Sequence, residues 1–169
     1  MRIHISVQTE SFDLTQESER LTASDVSIGA VASFVGLVRG HNRVEGQESG
    51  IASMTLEHYP GMTEKALGRI VVAACERWPL QGVTVIHRVG ELHLGDPIVL
   101  VLAASAHRQA AFEACEYIMD ILKTEAPFWK KETLADGGER WVEARDSDDA
   151  AAGRWLSDSD SDSDSEEGC

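Results

Sequence analysis

The sequence predicts an α/β domain of two layers, in which helices pack on a mixed or mainly antiparallel sheet. Three observations predict this fold class. Short apolar runs recur at strand length, two longer segments repeat apolar residues every three or four positions, and the two kinds of segment alternate along the chain. With 169 residues, 43% of them hydrophobic, the chain can bury one core but not comfortably two. We therefore expect one domain over residues 1–155.

Strands are predicted where apolar residues alternate or run together. The segments are residues 2–7, 28–38, 54–59, 83–89 and 98–105. Because residues 98–105 are apolar throughout, their strand is expected to be central, and residues 28–38 are expected to form a buried strand. Residues 40–50 are polar and contain glycine, which predicts an exposed loop.

Helices are predicted from apolar residues at helical spacing. Two long helices are expected over residues 63–78 and 107–124, and two short ones over residues 15–23 and 148–155. Thr63 is placed to cap the first long helix and Pro79 to end it, because proline restricts the residue before it. Pro127 ends the second long helix in the same way, which leaves Lys123 in its last turn.

The last part of the chain combines a hairpin with an acidic tail. Residues 128–133 and 140–143 flank an Asp-Gly-Gly turn at residues 136–138, which predicts an additional β-hairpin. The tail, residues 156–169, contains six carboxylates of the SDSDSDSDSEE run, so the net charge of −14 falls to −8 on the rest of the chain. A segment of this composition cannot bury apolar surface, and we expect it to be disordered. Its role stays open between a solubility aid, a phosphorylation substrate and an interaction segment.

The composition excludes several classes of function. The acidic net charge argues against a general affinity for nucleic acid or an anionic membrane. No signal-peptide pattern and no bilayer-length apolar run are found, and Cys75, Cys115 and Cys169 form no CxxC pattern, so we expect a soluble cytoplasmic protein with Cys75 and Cys115 as core thiols. Phosphate-binding glycine motifs, GxSxG and HExxH are absent, and the six histidines show no metal-ligand spacing. We expect no metal site.

Basic residues at the ends of predicted elements are the remaining candidates for a site. They are Arg39, His107, Arg108, Lys123, Lys130, Lys131, Arg140 and Arg145. A helix amino terminus adds free N–H groups and partial positive charge, so SAHR at residues 105–108 suits a phosphate. A plainer interpretation stays open, because Lys123 also suits the carboxyl end of its helix and the hairpin cations have carboxylates beside them.

Several unusual segments occur in one order along the chain. They are TLEHYPGMTEKAL at 55–67, RWPL and VTVIHRVGEL within 77–92, SAHR at 105–108, LKTEAPFWKKE at 122–132 and RWVEAR at 140–145. Together they resemble the large, catalytic subunit of molybdopterin synthase, the MoaE family, over about residues 25–155. The tail and the stretch at residues 43–50 have no counterpart in this resemblance.

The resemblance implies a sulfurtransferase of molybdenum cofactor biosynthesis. It implies a heterotetramer in which two large subunits pair as a homodimer, and each binds a small ubiquitin-like subunit whose Gly-Gly carboxyl terminus ends in a thiocarboxylate. That thiocarboxylate would supply sulfur to cyclic pyranopterin monophosphate, which becomes the dithiolene molybdopterin. No cofactor bound by the large subunit itself is implied.

The resemblance also assigns roles to residues of this sequence. Lys123 and Lys130 are implied as the catalytic residues. Phosphate binding is implied for Arg39, His107, Arg108 and Arg145, with Lys131 and Arg140 as weaker substrate-binding neighbours. Arginine and protonated histidine suit a phosphate because they make charge-assisted hydrogen bonds, and a lysine can stabilise developing negative charge. Which lysine moves protons stays open.

Helix geometry adds one inference of its own. His107 and Lys123 are sixteen residues apart on one predicted helix, so about 24 Å separates them at 1.5 Å per residue. One small pterin cannot contact both, and we expect a composite site in which an isologous dimer brings His107 of one protomer towards Lys123 of the other. The rival hypotheses are a non-catalytic partner that only grips a ubiquitin-like tail, and a simple anion-binding module.

Overall fold

The computed structural model of the chain describes residues 1–23, 25–44, 47–142 and 146–157. Its helices are α1 (Leu14–Thr22), α2 (Met62–Arg77), α3 (Arg108–Glu125) and α4 (Asp146–Ser157). Its strands are β1 (Arg2–Gln8), β2 (Ala30–Leu37), β3 (His41–Val44), β4 (Gln47–His58), β5 (Leu80–Arg88), β6 (Gly90–His93), β7 (Pro97–Ser105), β8 (Phe128–Leu134) and β9 (Glu139–Val142). The predicted α/β class is confirmed. Among the helices of the described ranges, none is long and apolar enough to cross a membrane.

The first sheet has the strand order β1-β5-β7-β2. β1 runs parallel to β5, whereas β7 runs antiparallel to both β5 and β2, so the sheet is mixed. β7 is central, as its apolar sequence predicts, and every side chain from Val99 to Ser105 is buried. β2 was expected to be a buried strand, and this is wrong. It lies at the sheet edge, with Ala32 buried but Phe34 and Leu37 39% and 53% exposed, because an apolar run does not tell an edge strand from a central one.

The second sheet contains β3, β4, β8 and β9 in that order, with β6 also paired to β4. The expected loop over residues 40–50 is replaced by a hairpin, in which β3 pairs with the start of β4 and His41 lies opposite Gly50. The prediction failed because the backbone pairing of two strands needs no apolar side chain, so a polar hairpin carries no hydrophobic period. The predicted hairpin of β8 and β9 is confirmed, and its strands pair from Lys130 with Val142 to Thr133 with Glu139.

The core lies on the face of the first sheet that α2 and α3 cover. α2 contributes the stripe of apolar residues that its sequence predicts, and Leu67, Ile70 and Val71 are at most 2% exposed. α1 packs on the opposite face, where Leu21 contacts a cluster around Ile86. Successive residues of β5 point to opposite faces, as in any strand, so this one strand contributes to both clusters.

Two cysteines of the described ranges are free thiols. Cys115 is buried on α3, and burial raises the pKa of its thiol to about 11. Cys75 is half-buried and packs at the edge of the same core. A raised thiol pKa suppresses the reactive thiolate, so Cys115 behaves as the core residue that the sequence predicts. Cys169 lies outside the described residues.

Candidate active site

A cavity of about 870 Å³ lies where the two sheets meet the end of α3. Three of the predicted cations line it, namely Arg39 just after β2, Lys123 in the last turn of α3 and Lys130 in β8. Apolar side chains form much of the remaining wall, including Met119 and Phe128. The fold therefore gathers three cations that are up to 91 positions apart into one cavity, where they outnumber the two lining carboxylates, Glu132 and Asp148.

The corner between α3 and β8 determines where the two lysines lie. α3 ends at Glu125, and the N–H of Ala126 donates to the carbonyl of Leu122 as the last helical hydrogen bond. Pro127 then turns the chain into β8. The buried Thr63 hydroxyl donates to the Pro127 carbonyl over 3.2 Å. Thr63 was expected to cap α2, but Gly61 occupies the cap position, and the threonine instead ties the start of α2 to this corner.

Lys130 belongs to an ion-pair network with a buried carboxylate. Glu132 is fully buried, its Oε1 lies 3.2 Å from the Lys130 ammonium, and its Oε2 accepts hydrogen bonds of 2.8 and 3.1 Å from the Arg140 guanidinium. A carboxylate can be buried at this depth only when ion pairs offset its lost hydration. Glu132 thus holds Lys130 at the cavity wall, and Arg140, which does not itself line the cavity, pairs with the other oxygen of the same carboxylate. The sequence signal was available, because Lys130 and Glu132 are two residues apart in a strand and share one face.

Lys123 has a different and weaker partner. Its ammonium lies 3.6 Å from a carboxylate oxygen of Asp148 in α4, and Asp148 also lines the cavity. The two side chains are 49% and 26% exposed, so solvent screens the pair. α4 is held on α3 by Asp120, which accepts hydrogen bonds from Arg154 and from the Trp155 indole. Lys123 can therefore exchange Asp148 for an incoming anion at small cost.

His87 is a cavity residue that the sequence interpretation missed. It lies in β5, its ring stacks on Phe128 with centroids 3.7 Å apart, and its Nδ1 lies 2.8 Å from the Arg88 carbonyl oxygen. Burial, with a smaller contribution from the nearby His58, lowers the pKa of its imidazole to about 4. The available signal was a histidine that directly follows the apolar residues Val85 and Ile86 in a central strand.

The remaining predicted site residues lie elsewhere. His107 is the N-cap residue of α3 and Arg108 its first residue, and both are exposed at the end of the helix away from Lys123. Neither lines the cavity. Lys131 points from the opposite face of β8, where its ammonium lies 3.3 Å from Glu139 and over the ring of Trp141. Arg145 lies outside the described residues.

Comparison with known proteins places this chain and its fold in a family. The family model described as "MoaE protein" matches residues 7–125. The molybdopterin synthase catalytic subunit of Pseudomonas aeruginosa is 59% identical over 151 residues, which cover 89% of this chain and 97% of that protein.

Solved structures agree with the sequence relatives. The molybdopterin biosynthesis MoaE protein from Burkholderia ambifaria is 52% identical with a TM-score of 0.76, covering 92% of this chain and 99% of the other. A crystal structure of molybdopterin synthase from Staphylococcus aureus matches at 31% identity and a TM-score of 0.72, covering 81% and 95%. From the family model, the sequence identity and the shared fold together, the chain belongs to the MoaE protein family.

Proposed function

We propose that this chain is the catalytic subunit of a molybdopterin synthase, a sulfurtransferase of molybdenum cofactor biosynthesis. Its relatives at 54–59% identity carry the name molybdopterin synthase catalytic subunit. The observation that carries the proposal is the convergence of Arg39, Lys123 and Lys130 on one cavity. These three cations outnumber Glu132 and Asp148, the two carboxylates that line the same cavity, and a local excess of positive charge on an acidic chain suits an anionic ligand.

The proposed substrates are both anionic, which suits this cavity. Sulfur would come from the carboxyl-terminal thiocarboxylate of a small ubiquitin-like subunit with a Gly-Gly end, and the acceptor would be cyclic pyranopterin monophosphate. Arg39 suits the phosphate, because a guanidinium makes paired charge-assisted hydrogen bonds. Lys123 and Lys130 suit the reacting end, where they would stabilise the negative charge that forms as sulfur attacks the pterin carbon.

Lys123 and Lys130 differ in how they are held. Lys130 is fixed beside Arg140 by the buried Glu132, which favours a positioning and charge-stabilising role. Lys123 is half exposed and paired only with Asp148 within the described residues, so it can move towards an incoming carboxylate. We therefore propose that Lys123 meets the thiocarboxylate tail, while Lys130 stabilises the transition state from a fixed position.

We further propose a composite site within a homodimer that carries two small subunits. Arg108 and Lys123 lie near opposite ends of α3, and fifteen residues of helix separate them by about 22 Å. One small ligand cannot contact both in a single protomer. An isologous dimer that brings His107 and Arg108 of the partner to the cavity would complete the phosphate site. The free thiols Cys75 and Cys115 suit a cytoplasmic location.

Reconstitution tests the chemistry directly. Purified chain, a thiocarboxylated small subunit and cyclic pyranopterin monophosphate should yield dithiolene product in a single-turnover assay. Lys123→Ala should lower the rate by roughly a thousandfold with an unchanged melting temperature, because the residue is exposed at a helix end and contributes to charge stabilisation. Lys65→Ala, an exposed lysine on α2, is the matched control and should be unaffected. A Lys123→Ala rate near that of the wild type would refute the assignment.

Hybrid dimers test the composite site. The double variant His107→Ala, Arg108→Ala and the double variant Lys123→Ala, Lys130→Ala should each be inactive alone. After dissociation and random reassociation, half of the dimers are hybrids and each hybrid has one intact site, so we expect about a quarter of wild-type activity. Mixtures that remain inactive, although mass spectrometry shows that hybrids form, would refute the shared site.

A further inference from the structure

Two buried titratable groups, Glu132 and His87, line the cavity within the described part of the chain. Glu132 holds Lys130 in place, whereas the proposed chemistry gives His87 no role. His87 lies in β5 between Val7 of β1 and Val99 of β7, and it is only 6% exposed. A central strand of the first sheet is otherwise built from apolar side chains on this face, including Val83 and Val85. A histidine here costs desolvation, so a plain packing role would be served better by an apolar residue.

The ring of His87 is fixed in both orientation and tautomer. Its Nδ1 lies 2.8 Å from the Arg88 carbonyl oxygen, and because a carbonyl only accepts, Nδ1 must carry the proton and donate. The ring plane is held against Phe128, with centroids 3.7 Å apart and planes 16° from parallel. Nε2 is then left with its lone pair, and no described residue supplies it with a hydrogen-bond donor.

The charged side chains of the cavity differ from this nitrogen in what they can bind. Arg39, Lys123 and Lys130 carry only donors, whereas the carboxylates of Glu132 and Asp148 are charged acceptors already paired with cations, Glu132 with Lys130 and Arg140 and Asp148 with Lys123. His87 stays uncharged near neutral pH, because burial lowers the pKa of its imidazole to about 4. A neutral, Nδ1-protonated imidazole adds no attraction for phosphate, and it offers an uncharged hydrogen-bond acceptor, which none of the charged side chains of the cavity provides.

We propose that His87 is a specificity-determining residue whose Nε2 accepts a hydrogen bond from a ring N–H or amino group of the substrate heterocycle. This inference rests on the proposed function and assigns the part of the cavity that recognises the ring rather than the phosphate. Cations bind any small phosphate, so they cannot select a pterin. A buried acceptor selects it, because a ligand without a matching donor leaves Nε2 desolvated and unpaired.

Three substitutions separate recognition from packing. His87→Asn keeps an amide N–H where Nδ1 donates to Arg88 but has no atom that reaches the Nε2 position. His87→Gln reaches that position with an amide oxygen and restores an acceptor there. His87→Phe keeps the stacked ring and loses both polar atoms. In the reconstituted complex, we expect His87→Asn and His87→Phe to raise the KM for cyclic pyranopterin monophosphate roughly tenfold with a smaller change in kcat, and His87→Gln to recover most of the loss.

A binding measurement gives a readout that a structural defect would not produce. By calorimetry, His87→Asn should weaken binding of the cyclic pterin about tenfold and leave binding of inorganic phosphate unchanged. Equal weakening of both ligands, or identical behaviour of the Gln and Asn variants, would overturn the inference in favour of packing. Wild-type turnover with a normal KM for His87→Asn would overturn this inference alone, whereas wild-type protein that neither binds the pterin nor forms dithiolene would overturn the proposed function as well.

Discussion

Acidification should destabilise this fold through His87. The imidazole has an ordinary pKa of 6.5, and burial lowers it to about 4 in the folded protein. Between these pH values the unfolded chain binds a proton that the folded chain does not. The free energy of unfolding therefore keeps its full contribution from the neutral His87 above pH 6.5 and loses that contribution as the pH falls towards 4. The full difference of about 2.5 pKa units corresponds to about 3 kcal/mol, and about 2 kcal/mol of it should be lost between pH 7 and pH 5.

Urea denaturation at pH 7 and pH 5 measures this loss, with all proteins at one concentration so that any subunit association contributes equally. Other groups also titrate over this range, and the comparison of variants isolates the histidine. His87→Gln should lose about 2 kcal/mol less than the wild type on acidification. His93→Gln, whose imidazole is 72% exposed, should lose as much as the wild type. If His87→Gln is as acid-sensitive as the wild type, the buried imidazole is not the proton acceptor and the reasoning is refuted.

Three further substitutions probe the site and its frame. Glu132→Gln removes the buried carboxylate between two cations, and urea denaturation should show a loss of about 2 kcal/mol, with unchanged stability as the contrary result. Asp148→Asn removes the anion that competes for Lys123, so pterin or tail binding should tighten roughly threefold at low ionic strength and the gain should vanish at high salt, whereas a salt-independent effect would contradict the ion-pair explanation. Gly29→Ala would place a Cβ 2.3 Å from the Ala106 carbonyl oxygen, so the melting temperature should fall by several degrees. An unchanged melting temperature would show that the backbone at Gly29 and Ala106 can move apart freely.

Most of the fold could be predicted from the sequence, because buried side chains recur at the regular spacing that a helix or a strand imposes. The stripe of Leu67, Ile70 and Val71 predicts α2, and the apolar run from Val99 predicts the central strand β7. This spacing gives no signal where a strand has a polar sequence. β3 and the start of β4 pair through their backbones, but their sequence is mostly polar and was therefore predicted to be a loop.

The candidate site was predictable in its cations and not in their surroundings. Arg39, Lys123 and Lys130 could be named because charged residues at element ends stand out in sequence. Glu132 and His87 were missed, because their positions in strands are only weak signals and their importance depends on burial, which comes from three-dimensional packing. A glutamate beside two lysines looks like an exposed counter-charge until the structure shows that it has no exposed surface.

In β8, the alternation of side chains between the two faces of the strand gives different environments to two adjacent lysines. Lys130 lines the cavity and Lys131 points to the opposite face, although the two side chains have the same chemistry. An insertion or deletion of one residue at the start of β8 would move Lys130 and Lys131 to opposite faces of the strand. After an insertion, Trp129, which is exposed in the native register, would occupy the position of Lys130 in the cavity wall. Two inserted residues would restore the alternation. Insertions and deletions in relatives should therefore be confined to the turn beyond Leu134, because a change of length there does not alter which lysine faces the cavity.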